Sequence, residues 1–566
     1  MIYILLNWLN ALFLTYTFGE LFYLGLKKIT KTNIIIAKPV IIMLGFVVLN
    51  FLTDIIAVFA PINIFTQGII EILACIIFFI LWKTRNITLN IKNLNTTWLE
   101  KIFYLLYGYI FIFVCVRCFY PTSHYDEGLY YIQHVRWIQN YGFVPGLANL
   151  HLRLGFNSNW HNLATLFDYP FLSKNFFNDL NGFLFLIFGA YCWTGIIQLF
   201  SKKYTLIALL KIFAFVSLIY PNPYFFSAHN GIFINTISPD WASFIFVATT
   251  FILFIESYEK TNAEYPFYLF LIVIFSTYCF SIKIANIAIT GLVLYAVIWL
   301  WMKKMYKLLL LLLAVAFISI IPWLISNIIL SGCILFPVSF LQIGVLDWAV
   351  PKHIVESFAY ETKTWAKTGG AIEVYNKLTF KELIIYWYHK QEAWLKIFYP
   401  VIIMGFFILI LFLCYELIRL KNRFLRMYGS IIPILLSNIL GIVFWFFTAP
   451  DFRFGAIYII FIGILSISLF IQKIKNINYV KVIIVVVGII YIIPALTLND
   501  IWGIFSHVDF PTIPSTGIQL KENIYIPLQT DQCFDAKLPC TPDTELVKGR
   551  VLLRKENDLS KGFILK

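Results

Sequence analysis

The sequence predicts an all-α, polytopic membrane protein of about fourteen spans, with interfacial helices in its outer loops and a small outer C-terminal tail. Three observations predict it. Hydrophobic residues fill 60% of the 566 positions and charged residues only 13%, with a mean hydropathy of +0.82. A soluble chain carries about a quarter charged residues, and no water-soluble fold hides this much apolar surface. The apolar residues also come in runs of roughly twenty, the length that crosses a hydrocarbon core. Finally, Lys and Arg gather in short loops between those runs, the orientation signal of membrane proteins. That distribution accounts for the net charge of +14. No basic stripe or recognition motif accompanies it, so nucleic acid is not among the expected partners.

The runs lie at approximately 2–26, 39–60, 66–82, 102–119, 178–200, 205–221, 239–255, 266–282, 285–302, 308–330, 397–418, 428–448, 454–472 and 482–498. The first has no basic segment before it, and Lys27 and Lys28 follow it. That polarity is wrong for a cleaved signal peptide and predicts a retained span with the N-terminus outside. If 27–38 is cytoplasmic, alternation puts 83–101, 201–204, 256–265, 303–307, 419–427 and 473–481 on the same side. Six of these seven loops are net basic. The exception is 256–265, where Glu256, Glu259 and Glu264 face Lys260 alone. Both termini are then expected outside a multi-pass inner (plasma) membrane protein, and everything long falls on the outer side: 120–177, 222–238, 331–396, the short turn 449–453, and the tail. Three parts follow: N-terminal spans over 1–100, a transmembrane domain over 101–498 with outer loops 120–177 and 331–396, and a tail over 499–566. Gly128–Tyr141 and Leu378–Lys396 mix aromatic, apolar and charged residues at helical spacing, as helices lying along a membrane surface do.

Six of the nine cysteines (Cys75, Cys115, Cys118, Cys192, Cys279 and Cys414) sit in apolar runs and read as small hydrophobes. Cys533 and Cys540 share the outward tail. A metal site needs more ligands than that segment offers, and a bridge would staple a piece too small for its own core. A disulfide is expected.

Four polar groups converge on the outer face. Ser123-His124-Tyr125-Asp126-Glu127-Gly128 follows the fourth run directly. Adjacent carboxylates at the hydrocarbon boundary are poorly solvated and costly unless something uses them. Asp126 is the candidate general base with Glu127 beside it; helix capping by Asp126 or Ser123 is the structural alternative. Further on, His151 and Arg153 stand among turn formers and asparagines, a composition that holds a phosphate or a sugar, or simply an internally paired loop. Asp240 opens the seventh run and Lys283 closes the eighth; both are substrate-binding candidates, although single charges at span ends often only reach for the interface. In the turn Pro450-Asp451-Phe452-Arg453, Arg453 is suited to clamp a diphosphate, or else to staple the turn through Asp451.

The acidic pair Asp126-Glu127, in a large outer loop after a span and ahead of a surface helix, resembles the GT-C glycosyltransferases. So does the gathering of polar groups on one face of many spans. The protein O-mannosyltransferase and aminoarabinose-transferase branches have a similar Asp-Glu placement. A fuller pattern, with Asn327 to Pro337, Pro450 to Arg453, Cys533 and Cys540, is similar to a distantly GT-C-like group of bacterial membrane proteins over roughly 100–566. GT-C enzymes usually carry the acidic loop after their first span, whereas three spans precede the fourth here. The resemblance implies transfer of a sugar from a polyprenyl-phosphate-linked donor to a glycan or envelope acceptor. Asp126 would be the base, while Lys283, Arg453 and Arg153 would steady the departing phosphate. Metal dependence stays open, a divalent cation included. The rival readings are a transporter or flippase for lipid-linked glycans, a polymerising protein, or a non-catalytic assembly factor. A transporter needs charge inside the spans, where Glu20, Asp54, Glu71 and Lys211 are the main examples.

Overall fold

The computed structural model describes residues 2–84, 98–120, 124–173, 176, 179–200, 205–219, 234–474, 479, 481, 518–519, 524–527, 530–543 and 551–565. The apolar run at 482–498 and Ser123 lie outside the described residues. The chain is helical almost throughout. In order come α1 (Ile2–Thr30), α2 (Lys38–Phe59), α3 (Ile64–Lys83), α4 (Trp98–Phe119), α5 (Ile132–Tyr141), α6 (Leu147–Leu150), α7 (Asn159–Leu166), α8 (Leu180–Phe200) and α9 (Leu206–Ile219). Then follow α10 (Pro239–Tyr258), α11 (Tyr265–Ile282), α12 (Gly291–Met302), α13 (Tyr306–Ser331), α14 (Lys352–Thr368), α15 (Ile372–Lys377), α16 (Phe380–Lys390), α17 (Ala393–Leu420), α18 (Phe424–Tyr428), α19 (Ile431–Thr448) and α20 (Phe452–Gln472). Among the described residues, eleven helical stretches are long and apolar enough to cross a membrane, and Tyr104–Phe119 and Leu206–Leu218 are shorter apolar ones. Helices dominate because a backbone in hydrocarbon must satisfy its own hydrogen bonds. The protein is therefore a multi-pass helical membrane protein.

Local signals set the helix ends. Pro39 and Pro239 stand in the first turns of α2 and α10, where a missing N–H costs nothing. Asn63, Ser158, Ser238 and Asp451 accept backbone N–H bonds at the starts of α3, α7, α10 and α20. Gly332, in the left-handed region at φ 76°, ends α13.

Helices α10 and α11 are the most enclosed, whereas α13 and α17 bury one stripe and leave the rest apolar and exposed. Helices α1 and α2 pack backbone to backbone: a Cβ on Gly45 would lie 1.7 Å from the Thr15 carbonyl oxygen. Small residues are what permit such an approach. The first two helices also build the interior around the polar loops. Asn7 donates to both oxygens of Asp179 at 2.9 and 3.0 Å, and Asp54 accepts from Asn162 of α7 at 3.0 Å.

One end of the bundle carries the long loops, and two short antiparallel pairs from the tail lie there. Ile518–Gln519 pairs with Tyr525–Ile526, and Val551–Leu553 pairs with Phe563–Leu565. Here the structure departs from the surface-helix expectation for Gly128–Tyr141. Residues 127–135 are buried throughout, as are Trp137, Ile138 and Gln139. The reason is that the tail packs over this segment: a Cβ on Gly128 would fall 2.4 Å from the Phe534 ring.

Candidate functional site

The polypeptide enters the site through one turn of π-helix, Glu127–Tyr131, in which the Ile132 N–H reaches back to the Glu127 carbonyl. It continues without a break into α5. Such wide turns re-aim the side chains around them and are common at functional sites. Asp126 precedes the turn in helical conformation, and its side chain caps no N–H. Capping therefore does not account for this carboxylate.

Consecutive helical residues point about 100° apart, and the two acids separate accordingly. Glu127 turns inward. It is 1% exposed and accepts a hydrogen bond from the Thr236 hydroxyl. Burial pushes its carboxyl up to about 8, against hydrogen bonds from Thr236 and the Ile237 backbone, with Asp126 adding to the rise. Asp126 turns the other way, with its side chain 18% exposed. Two guanidinium groups flank it: Arg453 Nη1 is 3.6 Å from Oδ2 and Arg153 Nη1 is 3.9 Å from Oδ1. Both separations exceed a charge-assisted hydrogen bond of about 2.8 Å.

Arg453 is placed by the tight turn before α20. Asp451 accepts from the Arg453 backbone N–H at 2.9 Å and from its Nε at 3.3 Å, leaving Nη1 for Asp126 and, at 3.4 Å, for the His124 ring. The staple and the reach toward the acidic loop thus coexist in one side chain. Beside it, Lys283 pairs with Asp240, and its ammonium lies 3.8 Å from the centre of the Phe454 ring. The two cations come from neighbouring faces of one small volume. His124 registers the whole cluster: burial lowers its pKa to about 4, with Asp126 and Asp240 opposing that shift and Arg453 and Lys283 adding to it.

His151 is buried one residue from Leu152 and two from Arg153. Burial and the Arg153 charge hold it down to about 3, and neither ring nitrogen has a hydrogen-bond partner among the described residues. Of the substrate-binding candidates, Arg153 and Arg453 meet at Asp126, Lys283 and Asp240 meet each other, and His151 stands behind Arg153. Among the described residues, no cluster of three or more His, Cys, Asp or Glu side chains is arranged to hold a metal ion.

Sequence reasoning did not single out His124, Tyr131, His161 or Thr236. The His124 ring stacks on Tyr131 at 5.6 Å, Tyr131 meets His161 at 4.3 Å, and His161 lies 5.8 Å from His134. His134 then bonds Asn162 at 2.9 Å, and Asn162 bonds Asp54 within α2. His124 stood beside the acidic pair, and that proximity was its one signal; His161 followed the asparagine-rich segment after Arg153. Thr236 carried none.

The tail completes one wall. Cys533 and Cys540 form a disulfide that closes a small loop. From it, the Phe534 N–H donates to the Gly128 carbonyl at 2.8 Å. Gln532 donates to the Tyr125 carbonyl, and the Tyr125 hydroxyl donates to Asp531. Arg136 of α5 grips Asp535 with two nitrogens at 2.6 and 2.7 Å and Asp168 with the third at 2.6 Å. Gln133 donates to the Phe534 and Ala536 carbonyls. The second hairpin adds Phe563 N–H to Pro145 and Asn149 to the Phe563 carbonyl.

No curated protein and no solved structure matches the chain. Residues 1–460 match a family described as a domain of unknown function, DUF8201, and the match runs unbroken across the first helices, the acidic loop and the Asp451–Arg453 turn. The chain belongs to the DUF8201 family.

Proposed function

We propose that the protein is a GT-C-type glycosyltransferase, moving a sugar from a polyprenyl-phosphate-linked donor to a glycan or envelope acceptor on the outer face of the plasma membrane. One observation carries the reading: a partly open carboxylate, Asp126, stands between two guanidinium groups at 3.6 and 3.9 Å, with the Lys283–Asp240 pair alongside. Sugar transfer from a phosphate leaving group builds positive charge at the anomeric carbon and negative charge on the phosphate. Asp126 takes the proton of the acceptor hydroxyl as the new C–O bond forms. Arg453, Arg153 and Lys283 receive the phosphate oxygens as the old C–O bond breaks. Arginine suits this task because its planar fork binds phosphate oxygens in pairs. Glu127, kept neutral by burial below about pH 8, orients the turn through Thr236 and takes no proton from substrate.

The test is release of polyprenyl phosphate from a panel of polyprenyl-phosphate sugars by protein in nanodiscs. Turnover by the wild type and its loss in Asp126→Asn is the expected result. Turnover that Asp126→Asn leaves intact sinks the assignment. Orientation has its own test. Val345 is 91% exposed at the loop-rich end, and Lys304 lies at the other. In a background without reactive thiols, Val345→Cys should react with an impermeant reagent from outside intact cells, and Lys304→Cys should not.

A second reading is favoured by a different observation. Asp54 lies inside α2, 1% exposed, bonded to Asn50 and Asn162, with Tyr278 donating to Asn50. Ionisable groups inside spans mark transport paths in many membrane proteins. A transporter for lipid-linked glycans would move fluorescent polyprenyl-phosphate sugars across proteoliposomes, without consuming them, in an Asp54-dependent way.

A further inference from the structure

The acidic loop at 256–265 broke the basic pattern of its side, and the structure gives that exception a location. At the end of the bundle away from the candidate site, a cavity of about 310 Å³ opens between α8, α9, α10, α11 and the link from α1 into α2. Its floor is an ion pair between a buried lysine and a part-buried glutamate. Lys211 Nζ lies 2.6 Å from Glu256 Oε1 and donates to the Thr194 hydroxyl at 3.2 Å, while the Tyr191 hydroxyl donates to the same Glu256 oxygen at 3.1 Å. Glu259 and Lys260, a second pair of opposite charges, stand exposed in its lining, with the Thr205 hydroxyl close by. Gln198 also lines it, and one side is apolar: Ile35, 88% exposed, leads through Ile36 and Ala37 to Val40.

We propose that this cavity binds a phosphate–ammonium zwitterion, the headgroup of a phosphoethanolamine lipid. Among the described residues, its lining holds two carboxylates and two ammonium groups. A simple anion entering it meets Glu256 and Glu259, and a simple cation meets Lys211 and Lys260, so neither gains. A ligand bearing both signs continues the alternation: its phosphate faces Lys260 and Lys211 and its ammonium faces Glu259. Choline fits less well. Quaternary ammonium groups are held by open aromatic faces. Here the Tyr191 ring is covered by Lys211 at 4.2 Å, and the Tyr268 ring has Lys260 at 5.8 Å. A primary ammonium instead donates hydrogen bonds to carboxylate and hydroxyl oxygens, which this lining offers. The exposed Ile35 side gives acyl chains an apolar exit, which a free headgroup does not need. The inference stands apart from the sugar-transfer reading, because none of these residues belongs to the Asp126 cluster.

The test is native mass spectrometry of the detergent-purified, full-length protein. It is incubated separately with phosphatidylethanolamine, phosphatidylcholine and phosphatidylglycerol of identical chains, and with soluble glycerophosphoethanolamine. Phosphatidylethanolamine should be retained preferentially over the other two lipids. Glu259→Gln with Lys260→Met, a double change at exposed positions, should lower that retention about fivefold, the worth of roughly one charge-assisted contact. Lys211→Met with Glu256→Gln should lower it further. Competition by glycerophosphoethanolamine at matched concentration would make the free zwitterion the ligand of the same site. Equal retention of the ethanolamine and choline lipids, or unchanged retention in the Glu259→Gln/Lys260→Met protein, overturns the proposal.

Discussion

Two carboxylates in this protein each stand between two cations, at opposite ends of the bundle, and the distances around them differ. Glu416, in the last turn of α17, is 2.6 Å from Arg419 and 3.1 Å from Lys473, with its own side chain 3% exposed. Asp126 is 3.6 Å from Arg453 and 3.9 Å from Arg153. At Glu416 the donors are within hydrogen-bond range and the carboxylate is enclosed, so the cluster is complete and pins α17 to the end of α20. At Asp126 the charges attract across gaps too long for good hydrogen bonds, and oxygens and N–H groups are left over. Charge inventory is nearly the same in both places. What separates a structural pin from a candidate site is the unmet hydrogen-bonding capacity.

The sharpest way to break this comparison is to neutralise both acids. Asp126→Asn keeps shape and removes the proposed base, so the proposed sugar transfer should fall by about 10² to 10⁴ while the protein inserts and folds. Glu416→Gln should leave transfer near wild type and lower the thermal midpoint, because Arg419 and Lys473 lose their shared anion. Equal activity losses in the two variants would mean that the distances carry no functional information.

The cations should part in the same way. Arg453→Ala is expected to weaken binding of polyprenyl phosphate by roughly tenfold or more, the loss of one or two charge-assisted contacts. Arg419→Ala, 49% exposed at the other end, should change that affinity little. Arg453→Lys separates charge from shape: a point charge without the fork recovers part of the affinity if the pairing is bidentate. Normal binding by Arg453→Ala would leave only the turn staple with Asp451.

A smaller effect is expected from the tail. Replacing Cys533 and Cys540 by Ser opens a loop whose closure is worth about 2 kcal/mol in the chain-entropy account. The tail should become more susceptible to proteolysis, and activity should fall through looser placement of Gly128 and Tyr125 rather than through lost chemistry. The expected signature is a lower kcat with an unchanged pH profile. Intact activity after clean release of residues 530–543 would make the tail a bystander.

Much of this was legible in the sequence because hydrocarbon is a simple solvent. Runs of twenty apolar residues had to become helices, and their basic loops pointed to one end. Asp126, Asp240, Lys283 and Arg453 were recognisable as polar residues at the ends of spans, where charge is costly, and Arg153 as a cation among turn formers in the long outer loop. Their grouping was not legible, since Arg453 reaches Asp126 across more than three hundred residues through packing that no local pattern encodes. Nor was the burial of 128–135: the mixed composition of this segment reads as interfacial until Phe534 and Asp535 are brought onto it. The divergence of Asp126 and Glu127 was available in principle from helical geometry, but only once the segment was known to be helical from its first residue.

That divergence carries the last and mildest expected effect. Glu127 has a folded-state pKa of about 8 against an ordinary value of 4.5. The fold therefore binds a proton that the unfolded chain gives up more readily. Its contribution to stability is fully present below pH 4.5 and is lost as pH rises through about 8. Above that value the ionised carboxylate sits 1% exposed beside Thr236, next to the Asp126 charge. Glu127→Gln stays neutral at every pH and can still accept from the Thr236 hydroxyl. The variant should fold, retain transfer to within about tenfold, far above Asp126→Asn, and show a flatter decline in thermal midpoint between pH 4.5 and about 8 than the wild type. Melting curves taken from pH 4.5 up to about 8 measure that slope. If wild type and Glu127→Gln decline in parallel, Glu127 is ionised throughout, and the two neighbouring acids would then act as a pair, contrary to the separation drawn from their directions.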